Sequence, residues 1–140
     1  MNKKKYTIAQ ILPALNTGGV ERGVVEISKA LVDNNFRSIV ISSGGYMVSQ
    51  ITRNGGIHYD LDVHTKNPLK WPKIRSELKK ILESENVDLI HFCSRAPAWI
   101  GIPLGAVLDI PIITSVHMRF RKSNLFKKYY NSILTRGNSI

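Results

Sequence analysis

Cysteine is nearly absent from this sequence of 140 residues, in which Cys93 stands alone. A single cysteine can form neither an intrachain disulfide nor a metal site of several thiolates, and such usage is typical of a reducing compartment. Apolar runs are also short. None approaches the ~18 residues of a membrane span, and the basic N-terminus precedes too short a run for a signal peptide. These absences predict a cytoplasmic protein.

Acidic residues are missing from the last part of the chain. The formal net charge is +10, and residues 110–140 contain no Asp or Glu. The cations of that segment are Arg119, Arg121, Lys122, Lys127, Lys128 and Arg136. Such a segment attracts the phosphates of nucleotides, lipid headgroups or nucleic acid. A solvated surface neutralised by acids elsewhere is the alternative interpretation.

Short apolar runs alternate with amphipathic stretches of about fifteen residues, a pattern typical of parallel strands joined by crossover helices. The predicted strands begin at Tyr6, Arg37, Ile57, Asp88 and Pro111. The pattern predicts one α/β domain with a doubly wound, Rossmann-like parallel sheet. In the first helix we expect Val20, Val24, Ile27 and Leu31, spaced by four, three and four, to face the sheet. Pro103 is expected to kink or interrupt the last helix.

Ligands of doubly wound sheets bind at the carboxyl ends of the strands, so the loops that follow the strands are the candidate sites. Gly18 and Gly19 lie between the first strand and the first helix, where backbone N–H groups and the helix dipole favour an anion. A tight turn capped by glycine is the alternative. The pair is not part of a G-x-G-x-x-G motif, and no acidic residue ends the second strand, which argues against a dinucleotide-binding domain.

Two further strand ends contribute candidate residues. Arg95 lies just past the fourth strand, and His117 directly follows the fifth. His91 lies inside the fourth strand between apolar neighbours and is most simply a core histidine. A histidine at a strand end on the binding edge can meet a substrate, so His117 is the stronger candidate.

Six segments carry a family resemblance along nearly the whole chain: LPALNTGGVERGVVEISKAL, SSGG, TKNPL, IHFCSRAPAW, IPIITSVH and YYNSILTRG. In order and spacing they resemble the N-terminal half of family 4 (group 1) retaining nucleotide-sugar glycosyltransferases, especially bacterial members of lipopolysaccharide or capsule synthesis. The resemblance implies a GT-B fold, in which two Rossmann-like domains face each other across a cleft. It also implies that the N-terminal domain holds the acceptor, that the C-terminal domain holds the nucleotide-sugar, and that no metal ion or other cofactor is required.

The resemblance assigns roles by position. Gly18 and Gly19 match the family's glycine-rich loop beside the donor phosphates and the acceptor. His117 matches the histidine of the active-site cleft and is the catalytic candidate, expected to hydrogen-bond the transferred sugar. Arg95 matches an arginine expected to bind an anionic group of the acceptor.

Glu21 and Arg22 are secondary candidates. They match a charged pair that either positions the following helix or contacts ligand. Met118 departs from the family pattern, which usually has glycine there, and adds a side chain beside the acceptor region.

Residues 1–140 are therefore expected to be the N-terminal, acceptor-side domain, ending before a sixth strand, with the donor domain outside the sequence. Such a half is expected to be inactive without a C-terminal half, for which a separately encoded domain is one expected partner. The nucleotide-sugar and a cell-envelope glycan or lipid-linked acceptor are the others. The main alternative is a non-catalytic remnant of a truncated or split glycosyltransferase.

A basic nucleic-acid-binding module is a further alternative. Residues 119–136 interleave cations with Phe126, Tyr129 and Tyr130, but no recognised fold for base readout accompanies them. Nucleic acid is therefore not an expected partner. The same segment suits peripheral contact with an anionic membrane, and a packing helix that faces a second domain is the other interpretation.

Overall fold

The computed structural model describes residues 5–65 and 67–115, in which strands and helices alternate. The strands are β1 (Thr7–Ile11), β2 (Arg37–Ser42), β3 (Ile57–Asp60), β4 (Leu89–Phe92) and β5 (Ile112–Thr114). The helices are α1 (Gly19–Asp33), α2 (Val48–Arg53), α3 (Trp71–Ser84) and α4 (Arg95–Leu108), and a single 3-10 turn, Pro68–Lys70, precedes α3. No helix in this part of the chain is long and apolar enough to cross a membrane.

All five strands are parallel and lie in the order β3-β2-β1-β4-β5. β1 is central, with Ile11 opposite Ile41 of β2 and Phe92 of β4. From β1 the chain moves outwards through β2 and β3, and then crosses to the other side for β4 and β5. The predicted doubly wound α/β fold is confirmed.

Side chains alternate between the two faces of the sheet along each strand, so both faces carry apolar side chains, and helices pack against both. One core packs Ile11, Ile41 and Phe92 of the sheet against Leu78 of α3 and Leu104 of α4. The opposite core is built from Leu12, Leu15, Val24, Val25, Val40, Ile51 and Cys93. Burial of each large apolar side chain contributes about 1.5–3 kcal/mol, so these two layers dominate the stability of the fold.

The inward face of α1 is rotated from its predicted position. Ile27 is 43% exposed, whereas Val24, Val25 and Ser28 are buried. The Ser28 hydroxyl makes a 2.7 Å hydrogen bond to the hydroxyl of Ser38 in β2. Ser28 can face the sheet because its hydroxyl is hydrogen-bonded to another polar residue. The spacing of apolar residues in the sequence does not reveal such a pair.

Helix α4 continues through Pro103, so of the two predicted outcomes, a kink or an interruption, the interruption does not occur. Proline has no N–H to donate to the carbonyl four residues earlier, which here belongs to Trp99. Arg75 of α3 supplies donors instead: its Nη2 lies 3.3 Å from the Trp99 carbonyl oxygen, and its Nε lies 2.6 Å from that of Ile100. The guanidinium thus links α3 to the turn of α4 in which Pro103 cannot supply a backbone donor.

A second polar tie joins the end of α3 to the sheet. The Tyr59 hydroxyl of β3 donates to the Glu85 carboxylate, which also forms an ion pair with Arg37 of β2. The hydrogen bond from Tyr59 holds the pKa of Glu85 below its usual value, against the opposing effect of burial, and Arg37 lowers this pKa further. The same hydrogen bond raises the pKa of Tyr59.

We predict that Arg75→Ala lowers the free energy of unfolding by about 1–3 kcal/mol, because two carbonyl groups lose a charged donor. Arg75→Lys, with one compact donor group, should give an intermediate loss. Urea denaturation measures both. Lys73→Ala, at an exposed position of the same helix, is the matched control, and an Arg75→Ala midpoint equal to that of the control would contradict the assignment.

Candidate functional site

The candidate site lies where the chain changes direction across the sheet. The connection after β1 leads through α1 to β2, and the connection after β4 leads through α4 to β5 on the opposite side. In doubly wound folds this divergence opens a crevice at the carboxyl ends of the two strands. Helices α1 and α4 both begin there, at Gly19 and Arg95, so two helix N-termini, which favour anions, border the crevice.

A depression of about 240 Å³ marks the β1 side of this edge. It is lined by Thr17, Gly18, Gly19, Arg22 and Met47. Complete ligand pockets commonly enclose about 300–1,000 Å³. The depression therefore has room for part of a ligand, such as one phosphate with a neighbouring group, and Arg22 places an exposed cation at its wall.

The two glycines of the depression differ in the space that a side chain would have at each position. Gly18 has an extended backbone (φ 166°, ψ 169°), but a Cβ on it would collide with the carboxylate of Glu21. That carboxylate thus lies against the first turn of α1, where the helix dipole favours negative charge. A Cβ on Gly19 would meet nothing within 4 Å. Packing of the described residues therefore does not require glycine at position 19, and at position 18 a Cβ would meet only the movable end of the Glu21 side chain.

The loop after β2 is bonded to the loop after β1, and together they form one rim. The β1 loop comprises residues 12–18 and the β2 loop residues 43–47. The Ser43 N–H and hydroxyl both donate to the Pro13 carbonyl, at 2.9 and 2.7 Å. The Leu15 N–H donates to the Gly44 carbonyl, and the Met47 N–H donates to the Leu15 carbonyl, each at 2.8 Å. These bonds hold Met47 in the wall of the depression.

Gly45 is essential to this arrangement. Its φ of +143° is one that residues with a side chain rarely adopt. A Cβ at this position would also lie 2.5 Å from the backbone of Leu15 and 2.6 Å from Oδ1 of Asn16. The two loops can pack this closely only because position 45 has no side chain.

A serine and a histidine, which the sequence analysis did not identify, lie behind the β2 loop. The Ser42 hydroxyl is 2.7 Å from Nε2 of His58 and accepts a 3.1 Å hydrogen bond from the Gly44 N–H. Ser42 is fully buried. Burial lowers the pKa of His58, and the nearby Asp60 carboxylate opposes this in part. The signal in the sequence is weak, because Ser42 and His58 lie in strands that contain other polar residues as well, namely Arg37, Ser38 and Asp60.

The comparisons with known proteins identify the family. A model described as Glycosyltransferase Family 4 matches residues 17–139. The chain belongs to glycosyltransferase family 4. The match includes the glycines of the depression, Arg22, Arg95 and His117, and it confirms the family resemblance of the sequence. A comparison with curated proteins gives no match.

Solved structures agree with this family. A glycosyltransferase from Rickettsia africae is 37% identical to the chain, with a TM-score of 0.78 over 94% of this chain and 35% of that one. Anabaena HepE, solved in complex with UDP and glucose, is 13% identical, with a TM-score of 0.72 over 93% and 35%. Acinetobacter baumannii MurG is 15% identical, with a TM-score of 0.58 over 78% and 33%. The chain thus spans about a third of the length of each of these three proteins, and the two distant ones support the fold alone.

Arg95, a further family 4 candidate, lies on the β4 side of the edge. Arg95 is the first residue of α4 and is half-buried, and it is not among the described residues that line the depression. His117 and residues 119–136 lie outside the described residues, so their roles stay predictions. His91 is half-buried in β4, and its Nε2 is hydrogen-bonded with the Ser115 hydroxyl, which agrees with its interpretation as a structural histidine.

Two further observations on the described residues bear on the chemistry of this family 4 domain. Burial raises the pKa of the Cys93 thiol to about 12, so the thiol stays protonated and is a poor nucleophile at neutral pH. Within residues 5–65 and 67–115, no group of three His, Cys, Asp or Glu residues could hold a metal ion. Metal-independent chemistry itself stays a prediction of the family resemblance.

We predict opposite outcomes for alanine at two glycines of this rim. Gly45→Ala should lower the free energy of unfolding by about 1–3 kcal/mol, because it combines an unfavourable φ with a backbone collision. Gly19→Ala should leave stability within about 0.5 kcal/mol of wild type or raise it, because it adds a better helix former in open space. Chemical denaturation of both variants tests the pair, and equal losses would contradict the geometry of the rim.

Proposed function

We propose that this chain is the acceptor-side half of a retaining glycosyltransferase, which transfers a sugar from a nucleotide-sugar to a cell-envelope glycan or lipid-linked acceptor. The observation that carries the proposal is the open space beside Gly19. It lies at the N-terminus of α1 in a depression that Arg22 lines, and packing of the described residues does not account for it. A missing side chain that the fold does not require suits the close approach of a ligand phosphate.

The depression suits a phosphate better than a neutral group. The first N–H groups of α1 and the guanidinium of Arg22 are donors on this side, and charge-assisted hydrogen bonds to phosphate are among the strongest in proteins. The Glu21 carboxylate opposes the binding of a phosphate, because it lies at the same end of α1. Binding of an anion therefore moves the Glu21 side chain away from Gly18.

Across the crevice we assign Arg95 to an anionic group of the acceptor and His117 to a hydrogen bond with the transferred sugar, as the family resemblance implies. By the same resemblance, the family usually has glycine after this histidine, where this chain has Met118 and thus an added side chain. On the basis of the same resemblance, we propose that the acceptor is an intermediate of lipopolysaccharide or capsule synthesis. No metal ion or other cofactor enters the proposed reaction.

Transfer needs a second domain in this proposal. The departing nucleoside diphosphate develops charge in the transition state, and loss of a single preorganised donor to such charge typically costs about 10²-fold in rate or more. The depression faces that charge from one side only, and the Rickettsia africae glycosyltransferase that the chain matches is about three times as long. We therefore expect the 140-residue chain to bind ligand weakly and to transfer no sugar.

Binding is tested by NMR titration of the chain with UDP-glucose, UDP and glucose 1-phosphate. We expect shifts at Gly18, Gly19 and Arg22, and at least about tenfold weaker binding by Gly19→Ala, whose added Cβ fills the space without loss of stability. Lys73→Ala is the control with an unchanged site. Shifts confined to other loops, or unaltered affinity of Gly19→Ala, would show that the depression is not the binding site.

Transfer is tested with a radiolabelled nucleotide-sugar and a lipid-linked acceptor fraction. The chain alone should give no product above a no-protein control, and addition of a matching C-terminal half should give product whose amount falls in His117→Ala. Product from the chain alone would overturn the requirement for a second domain. Binding without transfer in any combination would favour the non-catalytic remnant.

We also propose that the chain acts at the cytoplasmic face of a membrane, with residues 119–136 as a peripheral contact. The supporting observation is the charge of that segment, since basic residues near an anionic surface contribute about 1 kcal/mol each. Vesicle sedimentation is the measurement. We expect the chain to sediment with anionic vesicles and not with neutral ones, and equal sedimentation with both would remove the membrane contact.

A further inference from the structure

Leu69 is the most exposed large apolar side chain among the described residues, at 89%. It lies in the 3-10 turn Pro68–Lys70 between β3 and α3, within the TKNPL segment that carries part of the family resemblance. One exposed leucine on a flexible loop would be ordinary. This leucine lies instead on a turn that a set of hydrogen bonds holds in one conformation.

The bonds of the turn run through Asn67 and Thr65. Oδ1 of Asn67 accepts the Leu69 N–H at 3.1 Å, and the Asn67 carbonyl accepts the Lys70 N–H at 3.1 Å. The Asn67 N–H donates to Oγ1 of Thr65 at 3.2 Å, and Nε1 of Trp71 donates to the Thr65 carbonyl at 3.1 Å. Because the turn is already ordered, docking through Leu69 costs little additional chain entropy.

Positively charged residues flank Leu69 along the chain. Residues 63–76 contain no Asp or Glu and include three lysines. Two of these, Lys70 and Lys73, are exposed and form no ion pair with another described residue. They lie at the N-terminal end of α3, where the helix dipole favours acidic residues and none is present. Stability of the helix therefore does not explain these lysines.

We propose that the Leu69 turn, residues 67–70, docks together with Lys73 onto an anionic lipid bilayer. The leucine enters the boundary between headgroups and acyl chains, and the lysines contact anionic headgroups. A protein partner fits these residues less well, because lysine is depleted at protein–protein interfaces. The docking surface goes beyond the proposed function and rests neither on sugar transfer nor on the contact proposed for residues 119–136.

The position of the turn determines which edge of the domain faces the bilayer. Strand β3 ends at Asp60, and the connections from strand to helix lie at the carboxyl edge of a parallel sheet. The Leu69 turn therefore shares this edge with the depression at Gly18 and Gly19. Docking turns the crevice towards the membrane surface, which within the proposed function suits an acceptor that is linked to a lipid.

The tryptophans of the chain report on this surface. Trp71 directly follows the turn, and its ring stacks on that of Trp99 in α4, with 6.1 Å between the ring centroids. These are the two tryptophans of the sequence, and residues 119–136 contain none. Tryptophan emission therefore reports on the Leu69 turn and the adjoining part of α4, whatever other segment of the chain contacts a vesicle.

Quenching by lipids with brominated acyl chains tests the docking on the full 140-residue chain. Brominated vesicles of phosphatidylcholine with phosphatidylglycerol should quench the tryptophan emission, and those of phosphatidylcholine alone should not. Leu69→Ser removes the apolar group and Lys70→Glu reverses a charge, so each should weaken vesicle affinity by about tenfold. The matched controls are Val107→Ser, at a 64% exposed apolar residue of α4, and Lys80→Glu, at an exposed lysine of α3. Both should bind as wild type does.

The outcomes separate this docking surface from other contacts. The bonds of the turn do not involve the Leu69 side chain, so Leu69→Ser should fold normally, and an unchanged urea midpoint checks this. Sedimentation with anionic vesicles without quenching would place the contact elsewhere and overturn the proposal. Equal quenching by neutral vesicles, or equal affinities of Leu69→Ser and Val107→Ser, would also overturn it.

A protein partner at the same surface would give a different result. If Leu69→Ser weakened association with an added C-terminal half and left vesicle affinity unchanged, the turn would be a domain interface and the membrane assignment would be wrong. Absence of nucleotide-sugar binding and transfer, with the quenching pattern intact, would reject the proposed function and leave the docking surface standing.

Discussion

Strand β1 is hydrogen-bonded on both edges, to β2 and to β4, and the position of every other described element depends on this double pairing. Because β1 is central and comes first in the chain, the connections after β1 and after β4 must leave in opposite directions. The crevice at the carboxyl edge is therefore a result of topology and not of any one loop. Gln10 secures the arrangement from within, since its buried amide donates to the Val24 carbonyl of α1.

Polar side chains serve as connectors between layers in this domain. Arg75 joins α3 to α4 where Pro103 removes a helix donor, Ser28 joins α1 to β2, and Glu85 joins α3 to the sheet. Each contact favours one arrangement of the layers, because a buried polar group that is separated from its partner destabilises the fold. The apolar layers supply most of the stability, whereas these contacts fix how the layers are placed relative to one another.

The sequence predicted the strands, the helices and the carboxyl edge, because apolar spacing responds directly to burial on a sheet face. It misjudged the inward face of α1, since Ser28 is buried only through a partner ten residues away. It predicted a kink or an interruption at Pro103, and α4 is not interrupted there, where Arg75 donates to the carbonyls of Trp99 and Ile100. Gly18 and Gly19 were found by their position after β1. Met47 was missed because it is held by a contact between two loops, and Ser42 and His58 were missed because their contact joins two strands. Neither contact has a local period in the sequence.

The burial of Cys93 makes this domain convenient for spectroscopic work. Cys93 is 3% exposed, and burial raises the pKa of its thiol to about 12. Maleimide reagents, which need an accessible thiolate, should therefore not modify it while the fold is intact. A cysteine introduced on the rim would then be the one position that takes a dye. Distances from that dye to a second label on a partner domain could report the closing of a cleft without removal of any native residue.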